Sequence, residues 1–144
     1  MSENFLDLMD DGIEDAKEPT VAEDGEYTLE ILDWKVDKEG NVSRSDSNGN
    51  PYIMPVFGIA DHEDSEYMKN FTHFLRLPHN GLDAKELNSC RYDLKMFFKC
   101  FGIDYSQRVD YEETLGLRGD AILVTSPDEG YGEQNRVQKF VAPR

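Results

Sequence analysis

The chain has 144 residues, 38% of them hydrophobic and 11% aromatic, which is enough for one compact domain. Its formal net charge of −15 argues against general, charge-driven attraction to nucleic acid and leaves room only for a local basic surface. No apolar run approaches the roughly 18–20 residues that span a bilayer, and the first residues lack the basic start and apolar stretch of a secretion signal, so a cytoplasmic protein is expected.

Residues 1–24 read as an acidic N-terminal tail. Residues 1–26 alone carry a net charge of −9, from ten acids against Lys17. Phe5, Leu8, Met9 and Ile13 recur at the spacing of one helix face. They fit a partner-binding amphipathic segment, and they fit equally a solvated leader without a fold of its own.

The domain proper is expected over residues 25–144. A first strand is predicted over Gly25–Val36. Tyr27, Leu29 and Ile31 share one face, and the apolar phase then moves to Leu32, Trp34 and Val36, as at a bulge. Asp37–Asn41 and Ser45–Asn50 are dense in turn residues and predict a long polar connection. A second strand is expected over Tyr52–Ala60, with Pro55 awkward inside it because proline has no ladder donor. A third is expected over Tyr67–Leu77, with Phe71, His73, Leu75 and Leu77 on one face and Asn70, Thr72, Phe74 and Arg76 on the other.

An amphipathic helix follows over Asp83–Phe101. Asp83 and Glu86 form a capping-box pattern, Leu87, Cys90, Leu94, Phe97, Phe98 and Phe101 make the stripe, and Gly102 stands at the stop. Cys90 and Cys100 are roughly 15 Å apart along this helix, too far for a disulfide. Strands four and five are expected over Leu117–Thr125 and Arg136–Val141, joined by a turn-rich loop over Ser126–Asn135. A mainly β chain of five strands with one helix between the third and fourth has the element order of the OB-fold, a small β-barrel.

The chain resembles phage-encoded OB-fold single-stranded DNA-binding proteins over roughly Glu23–Arg144. The likeness lies in Gly25-Glu26-Tyr27-Thr28-Leu29, in Asn70-Phe71 through Leu77-Pro78, in Phe98-Lys99-Cys100-Phe101-Gly102-Ile103, in Leu115-Gly116-Leu117-Arg118-Gly119 and in Asn135-Arg136-Val137-Gln138-Lys139-Phe140. What the resemblance implies is single-stranded DNA binding in phage replication or recombination, in the cytoplasm of the infected bacterium. Acidic tails of such proteins recruit replication partners; here the acidic segment is N-terminal.

Such binding needs cations for phosphate and flat side chains for bases, and OB-folds carry them on strands two and three and on two loops. That surface would receive Trp34, Arg44, Tyr52, Phe74, Arg76, Tyr131, Arg136 and Lys139. Trp34 and Phe74 also suit a core, and Arg44 and Arg136 also suit a merely soluble surface. No spacing calls for a cofactor or a metal: His62, His73, His79 and the two cysteines form no zinc pattern, and Asp46–Asn50 lacks the glycine and glutamate positions of a calcium loop. No phosphate loop or nucleophile elbow points to an enzyme. Two other classes stay open: an acidic protein-interaction module or DNA mimic without direct nucleic-acid binding, and a structural component of a virion.

Overall fold

A computed structural model of the chain describes residues 13–128 and 132–143. Five strands form an antiparallel sheet in the order β5-β4-β1-β7-β8: β1 (Gly25–Trp34), β4 (Pro55–Ala60), β5 (Phe71–Thr72), β7 (Arg118–Asp128) and β8 (Gly132–Val141). A smaller sheet has the order β2-β3-β6, from Arg44–Ser45, Pro51–Ile53 and Leu75–Arg76. The large sheet curls until its end strands approach: the His73 ring, just after β5, meets the Phe140 ring of β8 at 5.1 Å, edge to face. The result is a nearly closed, OB-fold-like barrel whose one α-helix among the described residues, α1 (Ala84–Phe101), lies between β6 and β7. That helix is not long and apolar enough to cross a membrane.

The curl begins in β1. Leu29 and Ile31 point inward, and then the register against β4 slips between Ile31 and Asp33. The extra residue returns Trp34 to the interior, where its indole N–H donates to Thr114 Oγ1 at 2.8 Å. The phase change predicted from sequence is therefore real, but it serves Trp34 alone: Leu32 and Val36 are exposed.

The second and third predicted strands are each broken in two. Met54 forms the first break, so Pro51–Ile53 joins the small sheet while Pro55–Ala60 joins the large one. Pro55, which has no N–H to give, opens β4, and its carbonyl accepts from the His73 N–H at 3.2 Å. His73 and Phe74 form the second break, yet the predicted alternation persists: Phe71 and Leu75 are buried, while Phe74 is exposed. The turn-rich loop expected over Ser126–Asn135 is mostly ladder, because β7 and β8 pair as far as Asp128 and Gly132.

Helix α1 has the expected ends. Asp83 accepts from the Glu86 N–H at 2.8 Å, Glu86 Oε1 accepts from the Asp83 N–H at 3.3 Å, and Gly102 is left-handed at φ 69°. The stripe buries Cys90, Leu94, Phe97, Cys100 and Phe101, and the Phe101 and Phe57 rings stack at 5.4 Å. Leu87 is only partly buried. The helix lies so close to β7 that a Cβ on Gly119 would meet the Cys100 carbonyl oxygen at 2.6 Å.

The expected tail is tied to the barrel along its described part. Thr20 bridges Met68, and Ala22 is buried, with its N–H and carbonyl both bonded by the Asn135 side-chain amide at 2.9 Å. Ile13, in a short 3-10 turn over Ile13–Asp15, is exposed. Phe5, Leu8 and Met9 lie outside the described residues.

Candidate functional site

Two aspartate-centred turns prepare the site. Asp37 accepts from the N–H groups of Glu39 and Asn41, and Asp46 from those of Asn48 and Asn50, each at 2.9 Å. The Asn41 N–H bond is the main reason the Asp37 carboxyl is held below its ordinary range. The polar connection is thereby folded back, and Arg44 is delivered opposite Tyr52 as the start of β2.

In the small sheet Arg44 pairs with Tyr52, and Tyr52 pairs with Arg76. Residues directly opposite in a ladder share a face, so Tyr52 stands between Arg44 on one neighbouring strand and Arg76 on the other. The Arg44 guanidinium sits 5.5 Å from the Tyr52 ring centroid. Phe74, two residues before Arg76, adds a second ring 4.7 Å from Tyr52, tilted by 32°. Phe74 is 46% exposed and Tyr52 is half-buried beside it, so the pair is an aromatic surface open chiefly through Phe74.

Phe74 also stands between two clefts along the seam where β5 and β6 face β8. One, of about 600 Å³, runs past Met54, Thr72, Pro127 and Arg136. The other, of about 480 Å³, lies under α1 and includes Arg76, Tyr92, Met96 and Lys139. His73 and Val137 line both. Among the described residues, the charged side chains along the two clefts are Arg76, Arg136 and Lys139 against Asp93, in a chain of net charge −15. Among the described residues, none of these three cations takes part in an ion pair.

His73 is uncharged at neutral pH. Burial, and then the charge of Arg136, pushes its pKa down to about 4.

Six of the eight sequence-predicted binding residues thus fall on one surface: Arg44, Tyr52, Phe74, Arg76, Arg136 and Lys139. Trp34 does not. It is 5% exposed, bonded to Thr114 and packed edge-on against Phe97 and Tyr111, so neither face is open to a base. Tyr131 lies outside the described residues. Sequence reasoning missed His73 and Tyr92. The signal for Tyr92 was present: it is a large aromatic on α1 away from the apolar stripe.

No protein-family model matches the chain, and no curated protein matches it.

Proposed function

We propose that the chain binds single-stranded DNA across the small sheet and the barrel seam, without dependence on sequence. Bases stack on Tyr52 and Phe74, and the phosphates follow Arg44, Arg76, Arg136 and Lys139. The observation that carries this reading is the exposed Phe74 ring packed on the half-buried Tyr52, set among cations that make no ion pair among the described residues, because that combination suits stacked bases joined by anionic links. The sequence resemblance extends the reading to phage DNA replication or recombination in an infected bacterium, with the acidic N-terminal segment as the part offered to replication proteins.

The net charge of −15 favours a second reading, an acidic module or DNA mimic that engages a basic protein. Anisotropy of a fluorescent oligonucleotide titrated with the full chain separates the two. The DNA-binding reading predicts association at low salt that weakens linearly in log–log form, with a slope of about −3 for four phosphate contacts on a single strand. No association at low salt, together with capture of a basic partner, would favour the second.

A further inference from the structure

We propose that the cleft beneath α1 is a second base site, holding one unstacked base of the bound strand beside Tyr92; this rests on the single-strand reading above. The cleft holds about 480 Å³, within the roughly 300–1,000 Å³ of pockets that enclose small organic ligands. Phe74 belongs both to the stacking platform and to this cleft. A strand passing over Phe74 therefore brings its next nucleotide to the edge of the cleft.

The lining has the chemistry of a base site. Phe140 and Met96 give an apolar floor. Arg76 and Lys139 supply charge for the adjoining phosphate. The Gln138 amide offers both a donor and an acceptor, so it suits the edge of any base.

Tyr92 is the residue the fold itself does not explain. It is 57% exposed, stands on the helix between the buried Cys90 and Leu94, and contributes nothing to the core cluster. Tyr105, also exposed, is stacked on Phe98 at 5.5 Å; Tyr92 meets no other ring among the described residues. An aromatic face left open beside an apolar, cation-lined cleft is what an inserted base requires.

The test uses the full chain and an oligonucleotide carrying one 5-iodouracil. Irradiation of the complex is expected to attach the base to the tryptic fragment over residues 92–95. Tyr92→Ala is expected to weaken binding about 5- to 20-fold with the salt slope unchanged, and Tyr92→Phe to stay within about twofold of the natural chain. Asp93→Asn, which removes the carboxylate among the charged groups of this cleft, is expected to tighten binding. Binding by Tyr92→Ala equal to that of the natural chain, with no crosslink on α1 and no gain from Asp93→Asn, would overturn the second site; if Tyr52→Ala still lost affinity, the platform would stand. No binding by the natural chain at low salt would remove both.

Discussion

The barrel carries two groups of cations that differ in what they are free to do. A cleft of about 760 Å³ on the outer side of β1 and β4 contains Arg118, Lys17 and Lys69 with Glu30, Asp61 and Glu66. Arg118 is bonded at 3.0 Å to both Glu30 and Asp61, Lys17 lies over the Tyr67 ring, and Lys69 donates to the Glu133 carbonyl. The seam clefts are smaller, yet among the described residues their three cations face a single carboxylate and make no ion pair. A counterion already in place competes with a phosphate, so the proposed reading puts the strand at the unspent charge of the seam and not in the larger cleft. The same contrast bears on the net charge: the excess acid lies largely before Tyr27, and the described charged side chains of the seam are three cations and one carboxylate.

The largest expected effect breaks the comparison with acid. The folded pKa of His73 is about 4, below its ordinary 6.5, so the unfolded chain takes up a proton first as pH falls. Stability is retained above pH 6.5 and lost down to about pH 4, by about 3 kcal/mol at most. Urea midpoints measured from pH 7 to pH 4 check this, and Arg136→Ala should shrink the loss because it removes the neighbouring charge. A midpoint that holds steady across that range would contradict the burial of His73.

Next in size is the platform. Tyr52→Ala and Phe74→Ala should each weaken oligonucleotide binding by about 1–3 kcal/mol, and the double variant by less than the sum because the two rings touch. Circular dichroism of the variants should match the natural chain, since both side chains lie on the surface sheet. Trp34→Phe offers the opposite pattern. It removes the bond to Thr114 and should cost about 1 kcal/mol of stability, seen in the thermal midpoint, while leaving affinity per folded molecule unchanged.

These contrasts trace how far the amino-acid order could be read. Helix α1 was legible because its cap at Asp83, its stripe and its stop at Gly102 agree with one another. The bulge in β1 was legible as a phase change, but the burial of Trp34 depends on Thr114, 80 residues away, which no local pattern reveals. Pro55 marked trouble in the second strand. That Tyr52 leaves the large sheet there follows only from pairing with Arg44 and Arg76. The predicted site residues rest on residue type and on the strand each occupies. The unpaired seam that gathers Arg136 and Lys139 beside Phe74 arises from barrel closure, which is a tertiary event.

The smallest expected effects concern single cations. Arg136→Ala and Lys139→Ala should each reduce the magnitude of the salt slope by about 0.7, with little dependence on the base composition of the oligonucleotide. Arg118→Ala should leave the slope where it was, because its guanidinium is already held by Glu30 and Asp61.

The most direct test of the contrast between the two clefts is one salt titration on three proteins: the natural chain, Arg118→Ala, and the triple variant Arg76→Ala, Arg136→Ala, Lys139→Ala. Slopes of about −3 for the first two and about −1 for the triple variant are the predicted result. Equal slopes for the natural chain and the triple variant, or a loss confined to Arg118→Ala, would place the DNA somewhere other than the seam.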